Sequence, residues 1–410
     1  MRVLVIGINF HPELTGIGKY TGEMATWLAE QGHAVRVVTG LPYYPWWRVQ
    51  PPYRWWQYRR ERWQGVDVWR SPLWVPQRVS GLKRVLHLAS FTLFSAPLIL
   101  GQILWRSDVV LVVAPTLAVA PFGWLAARLS GAKTWLHIQD FEIDAALNLG
   151  ILPVEGALAN LLRAFERRLL QAFDVVSAIS HRMCARLREK GVWEERIVFF
   201  PNWVDTQAIY PLDGQSNPLR SELGFAETDI VVLYSGNMGE KQGLEILIEV
   251  ARVLQRLNHL HFVLCGEGAV RKRLQAQAKG LPNVHFLPLQ PVESLNALLN
   301  LADIHVLPQR ADVADLVMPS KLTGMLASGK AVIATAHPDT EVGEVVSRVG
   351  VLVPPEDPDA LARVIQSLAK DAGQRAKLGQ RGRQYAEVHY ARGTVLPKIH
   401  ERLVALVRKG

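Results

Sequence analysis

The feature that most limits what this chain can become is its rhythm. Short runs of β-branched and aliphatic residues recur along it, each followed by a polar or glycine-bearing turn and, in most cases, a helical pattern. In the first half the runs are Arg2–Ile6, Ala34–Thr39, Val109–Val113, Thr134–Ile138, Val175–Ile179 and Ile197–Phe200. In the second half they are Ile230–Tyr234, His261–Cys265, His285–Pro288, Ile304–Leu307, Ala331–Thr335 and Val351–Val353. Strands that alternate with helices are joined by crossover connections, and crossovers make parallel sheets. The pattern predicts an α/β protein of two Rossmann-like, doubly wound domains facing across a cleft. Helices are expected at Tyr20–Gln31, closed by Gly32, and at Gly243–Arg256, Ala269–Ala278, Leu295–Leu301 and Lys321–Ser328. Asp357-Pro358 opens another, an N-cap followed by a proline in the first turn. Gln374–Lys409 reads as helical and basic.

Composition places the boundary. All 13 Trp of the 410 residues lie at or before Trp203. Residues 1–205 hold 23 Lys+Arg against 16 Asp+Glu, net +7, while residues 206–410 hold 23 against 21, net +2. The expected division is an N-terminal domain over 1–205, a C-terminal domain over 206–385, and a last helix, 386–410, that crosses back to the first domain. Two insertions are expected in the first domain. Pro45–Trp74 interleaves Trp46, Trp47, Trp55, Trp56, Trp63, Trp69 and Trp74 with Arg48, Arg54, Arg59, Arg60, Arg62 and Arg70. Leu82–Trp105 is almost wholly apolar; the next strand follows at once, so a buried or interfacial helix is expected there in place of a membrane span. A basic, Trp-rich half suits an anionic surface such as phospholipid headgroups or a lipid diphosphate. The plainer reading is a solvated basic face over a Trp-rich core. Nucleic acid is disfavoured because the basic excess sits among apolar segments and no reader motif appears. Two cysteines, Cys184 and Cys265, fit a reducing compartment. Met1–Ile6 reads as a first strand and not as a signal peptide.

The turns after the strands carry the candidate chemistry. Gly7 through Gly18 departs from the dinucleotide fingerprint, since Asn9 takes the second glycine position. Gly16 and Gly18 fall at the start of the following helix, where backbone N–H groups can meet a phosphate or a sugar oxygen. A simple turn is the alternative, and the place of this loop at the carboxyl end of a strand favours ligand binding. Asp140, in His137-Ile138-Gln139-Asp140, can accept from sugar hydroxyls or act as a general base, or else serve as a helix cap. His137 fits a hydrogen-bonded core position. In the second domain, Gly236-Asn237-Met238-Gly239-Glu240-Lys241-Gln242-Gly243 is a glycine turn with Lys241 at its mouth. Gly266-Glu267-Gly268 follows the next strand, with Arg271 one turn later. Met318-Pro319-Ser320-Lys321-Leu322 opens a helix with a second lysine. Amides and ammoniums so arranged suit one diphosphate.

On these residues the chain resembles the GT-B glycosyltransferases of family 4, nearest the colanic-acid and exopolysaccharide type. The likeness runs over essentially the whole chain. It rests on Pro12 through Gly18, His137–Asp140, Pro201-Asn202-Trp203-Val204-Asp205, Gly236–Gly243, Gly266–Gly268, Asp303–Pro308, Met318–Leu322 and Val353–Pro358. The resemblance implies retaining transfer from a nucleoside-diphosphate sugar, with no cofactor and no essential metal. It also implies a lipid-linked sugar acceptor and a cytoplasmic protein held at the inner face of the membrane. Gly16 and Gly18 would lie near the donor diphosphate and the transferred sugar, with Asp140 facing the acceptor or that sugar. Lys241 and Lys321 would neutralise the leaving diphosphate. Asn237, Gly239, Gly266, Glu267, Gly268, Pro288, Leu289, Ser320 and Leu322 would line the donor. The chain departs from the pattern where many members carry paired Glu: Leu316 and Gly324 stand there. Glu341 is the expected replacement, with Glu344 next. Asn237 also stands where many members have Arg. The alternative functions are another GT-B enzyme, such as a nucleotide-sugar 2-epimerase, and a non-catalytic binding protein at a membrane surface.

Overall fold

The computed structural model describes residues 1–13, 16–77, 81–144, 156–212, 217–311 and 319–408. The chain forms two compact units, Met1–Asn202 with Leu396–Gly410, and Trp203–Val395.

The first unit holds strands β1 (Arg2–Ile6), β2 (Ala34–Gly40), β3 (Arg59–Trp63), β4 (Val66–Ser71), β5 (Val109–Ala114), β6 (Lys133–Ile138), β7 (Val175–Ala178) and β8 (Ile197–Phe199). They form one sheet in the order β3-β4-β2-β1-β5-β6-β7-β8. Every pair is parallel except the β3–β4 hairpin. The central strands are buried on both faces, as Val-Val-Leu-Val-Val-Ala of β5 requires. The expected insertion Pro45–Trp74 is therefore partly sheet. Arg-Arg-Glu-Arg-Trp has no apolar alternation to announce a strand. It is tolerated because β3 is an edge, where charged side chains reach water and block further pairing.

The apolar stretch forms the helix Gly81–Gly101 and a 3-10 turn, Gln102–Trp105. By length and composition this segment could cross a membrane. Only one stripe of the helix is covered, through His87, Phe91, Ser95, Ala96 and Ile99. Leu82, Leu86, Leu93 and Phe94 stay exposed. The Trp-rich segment lies against the same helix. Trp47 and Tyr43 set their rings against His87, Tyr58 donates to the Phe94 carbonyl at 3.0 Å, and the Trp74 amide donates to Ser90 Oγ at 2.9 Å.

The basic C-terminal stretch forms two helices, Ala372–His389 and Arg392–Arg408. Between them Tyr390 and Ala391 pair with Val204: the Val204 amide donates to Tyr390 O at 2.8 Å and the Arg392 amide to Val204 O at 2.9 Å. Leu396, Ile399 and Leu403 are buried, and His400 sits 2.7 Å from His33 with its ring on Trp27.

The second unit holds β9 (Ile230–Ser235), β10 (Leu260–Cys265), β11 (Val284–Leu287), β12 (Ile304–Pro308), β13 (Ala331–Thr335) and β14 (Val351–Val353). All are parallel, in the order β11-β10-β9-β12-β13-β14. Alternate residues serve opposite faces. Val232, Phe262, Ile304 and Ile333 share a core with Leu247, Ile248, Leu361 and Ile365, from helices Glu245–Val253 and Pro358–Lys370. Val231, Leu233 and Val263 pack with Leu298 and Leu301 of the helix Leu295–Leu301. Asp357 caps the helix Pro358–Lys370 by accepting from the Ala360 amide at 2.8 Å. One helix, Glu341–Val349, was not legible: its valines and Gly343 argue against helix, and the Thr340 cap, bonded to the Gly343 amide, together with a buried valine face overrides them.

Candidate active site

Parallel strands put all their carboxyl ends on one edge, and ligands of such sheets bind where the strand order reverses. In the second unit that point lies between β9 and β12, because β9 runs on to β10 and β11 to one side while β12, β13 and β14 lie to the other. The turn after β9 begins at Gly236. Lys321 lies in the first turn of the helix after β12, Ser320–Ala327.

Lys321 is half-buried, and its Nζ donates to Tyr234 Oη at 2.8 Å and stands 4.4 Å from the centre of the Tyr234 ring. A Cβ on Gly236 would lie 3.4 Å from that ammonium. Among the described residues no carboxylate pairs with Lys321. Desolvation lowers its pKa to about 8. A desolvated cation is costly until an anion pairs with it.

The glycine turns build the floor. The Gly236 amide donates to Cys265 O at 2.9 Å, Met238 N to Glu267 O at 2.8 Å, and Val270 N to Met238 O at 3.1 Å. A Cβ on Gly266 would fall 1.9 Å from Gly236 O, and one on Gly268 2.2 Å from Met238 O. Only glycine permits backbone this close. Arg271 donates to Gly266 O at 2.7 Å and pairs with Glu267, whose side chain is exposed. Gly239 donates to Gln242 Oε1 at 3.0 Å. Asn237 is exposed and its carbonyl accepts from Tyr234 Oη at 2.5 Å. Pro288 and Leu289 are exposed beyond β11, with Pro288 O accepting from Gln290 at 3.1 Å.

Lys241 is exposed on the 3-10 turn Glu240–Gln242, so the structure draws one of the two lysines into the turn and leaves the other in solvent. Ser320 is exposed. Leu322 is fully buried in the core, and its amide already donates to Pro319 O at 3.0 Å. Glu341 is buried at the start of its helix. Met318 and Leu316 lie outside the described residues.

In the first unit the order reverses between β1 and β5. The helix after β1 starts at Gly16, earlier than the apolar periodicity suggests, so Gly16 and Gly18 belong to its first turn. Gly16 lies against Tyr44, and Gly18 against Glu13, whose Oε2 would be 2.8 Å from a Cβ there. Glu13 is buried. It accepts from Asn9 Nδ2 at 2.8 Å and from the Tyr43 and Tyr44 amides, each at 2.9 Å. Burial raises its pKa against these bonds. After β5 and β6 a second carboxylate works alike. Glu142 accepts from the Thr116 and Leu117 amides, and burial raises its pKa to about 7. Asp140, two residues before it, is half-buried. His137 is a core histidine: Ser177 Oγ lies 2.9 Å from Nδ1, and burial lowers its pKa to about 3. Sequence reasoning did not single out Glu13, Glu142 or Tyr234. The first two look like ordinary loop acids, and the third like one more strand residue.

Two parallel-sheet units, one with glycine turns and a desolvated lysine at its switch point, define an α/β protein of the doubly wound class. Known proteins narrow that class. The description "Glycosyl transferase 4-like domain" matches residues 15–203, and "Glycosyl transferases group 1" matches residues 215–385. The chain is 46% identical to WcaI of Escherichia coli over 374 residues, 89% of this chain and 91% of that protein, whose name assigns it to colanic acid biosynthesis. Sucrose-phosphate synthase from Thermosynechococcus elongatus shares the fold at a TM-score of 0.76, with 17% identity and complete coverage of both chains. HepE from Anabaena, solved in complex with UDP-glucose, does so at 0.68, with 17% identity over 99% of this chain and 100% of that one. The chain belongs to glycosyltransferase family 4 and has the GT-B fold. It is a glycosyltransferase, and the epimerase and non-catalytic readings fall away.

Proposed function

We propose that this glycosyltransferase moves a sugar, with retention at the anomeric carbon, from a nucleoside-diphosphate sugar to a lipid-linked acceptor in exopolysaccharide or cell-envelope glycan synthesis. The observation that carries the donor half is the desolvated Lys321 ammonium held over Gly236 at the β9–β12 switch point. An anion placed there supplies the counter-charge that the described residues leave out. WcaI and the UDP-glucose complex of HepE support a nucleotide-sugar donor and a cell-envelope product.

As the anomeric C–O bond to the diphosphate breaks, negative charge grows on the leaving oxygen and Lys321 meets it. The acceptor oxygen bonds to the anomeric carbon on the same face, and its proton passes to the departing phosphate oxygen. Asp140 faces the acceptor. With cationic and amide groups in place, the reaction needs no resident metal. A well-placed donor of this kind contributes about 3–4 kcal/mol to transition-state stabilisation. Lys321→Ala should lower turnover by at least about tenfold, roughly 1.4 kcal/mol, measured with radiolabelled nucleotide-sugars and a lipid-diphosphate acceptor. Near-normal kinetics would remove Lys321 from the site. The anomeric coupling constant of the product, by NMR, decides retention.

The acceptor half rests on the Trp-rich segment and the helix Gly81–Gly101. Trp46, Trp55 and Trp56 are 68%, 64% and 57% exposed, beside a helix that bares its leucines and carries Lys83 and Arg84 near its start. Exposed indole and aliphatic side chains rimmed by cations fit the headgroup layer of an anionic membrane. The protein thus works on the cytoplasmic face of the membrane as a peripheral enzyme.

A further inference from the structure

We propose that Tyr234 is the positioning residue of Lys321: its hydroxyl takes a hydrogen bond from Nζ at 2.8 Å, gives its own to Asn237 O at 2.5 Å, and so fixes the ammonium and the glycine turn to each other across the β9–β12 switch point. The inference rests on the reading of Lys321 as the diphosphate contact.

Tyr234 is the penultimate residue of β9 and is 1% exposed, packed in the apolar core with Met238, Phe262 and Leu264. Phenylalanine would meet that packing requirement equally well. A phenol in such a place costs free energy unless its O–H finds partners. It finds two, and they belong to different parts of the fold. Asn237 O lies in the turn after β9, and Lys321 is carried by the helix after β12. The lysine stem runs past Gly236, where an added Cβ would lie 3.6 Å from its Cδ. The ring alone offers the ammonium a broad face and no single acceptor. The hydroxyl gives it a fixed stop, and also lowers the energy of the charged lysine by accepting from it.

The test uses the full chain with ε-13C-labelled lysine. The Lys321 ε-carbon shift, assigned by its loss in Lys321→Ala, is titrated against pH in the native protein and in Tyr234→Phe. A 3-fluorotyrosine at 234 keeps ring and hydroxyl while weakening the oxygen as an acceptor. Inorganic pyrophosphate is the binding probe. In Tyr234→Phe the titration midpoint should fall by about half a unit or more, because the ammonium loses an acceptor. Pyrophosphate affinity should fall about threefold or more at pH 8, with the melting temperature held within a few degrees. Fluorotyrosine should move both readouts the same way by less, and it decides the matter should Tyr234→Phe not fold. An unmoved midpoint and unchanged pyrophosphate binding would make Tyr234 a packing residue only. If Lys321→Ala itself binds pyrophosphate normally, the diphosphate reading has failed. If Lys321→Ala is impaired while Tyr234→Phe is not, the positioning role alone has failed.

Discussion

At the scale of single residues, Lys321 in its proposed role trades stability for binding. Its folded-state pKa of about 8 lies below the ordinary lysine value, so the fold disfavours the charged form. The unfolded chain therefore binds more protons between about pH 8 and pH 10.4, and stability rises with pH through that window. Below it the full penalty stands. Lys321→Met should raise stability at pH 7 by roughly 1–3 kcal/mol while transfer is lost, a pairing that equilibrium urea unfolding and turnover check together. The same pKa sets the sign for donor binding. A bound diphosphate favours the ammonium, so binding above pH 8 takes up a proton, and affinity for a nucleoside diphosphate should fall as pH rises from 8. Calorimetry in buffers of different ionisation enthalpy reads that uptake, and Lys321→Met should abolish it. Glu13 and Glu142 tie their loops together as buried acids that accept from backbone amides. Neither role was readable from the sequence, because the amides they accept from lie about 30 and about 25 residues away along the chain.

At the scale of elements, the turns after β9 and β10 form one piece. Gly266 and Gly268 let the second turn settle onto the carbonyls of the first, so a side chain there drives two turns apart. Gly266→Ala should cost about 2–4 kcal/mol, as overpacking with backbone strain does, and should abolish pyrophosphate binding, seen as a lowered melting temperature that no ligand restores. Strands of buried aliphatic residues were readable almost to the residue; Ala331–Thr335 and Val351–Val353 match their expected bounds. Elements whose burial depends on a partner were not. β3 is charged and owes its conformation to β4, and the helix Glu341–Val349 owes its own to the buried face of its valines.

At the scale of the whole molecule, the first unit is closed by chain from both ends. Leu396–Gly410 belongs to it although the second unit intervenes, and His400 meets His33 and Trp27. Ending the chain at Val395 uncovers that contact and removes the buried Leu396, Ile399 and Leu403. Three such aliphatic losses are worth roughly 4.5–9 kcal/mol, so residues 1–395 should melt well below the full chain, with the loss visible in the first unit's tryptophan fluorescence. The proposed membrane binding is also a property of the assembled surface. Trp55→Ser with Trp56→Ser should leave stability within about 0.5 kcal/mol, since both side chains are largely exposed. Flotation with anionic vesicles should fall at least several-fold, and added salt should weaken the native interaction.

The sequence by itself determined the class of fold, the two domains, the glycine turns and the family, because these depend on local order: strand-helix alternation, caps, and residues fixed in spacing along the chain. Only the tertiary structure decided which lysine enters the turn, which acids hold the loops, and where Tyr234 places its hydroxyl. Those outcomes depend on desolvation and on hydrogen bonds between residues far apart in sequence. Lys241 and Lys321 look equivalent as letters; the fold leaves one in water and takes the other out of it.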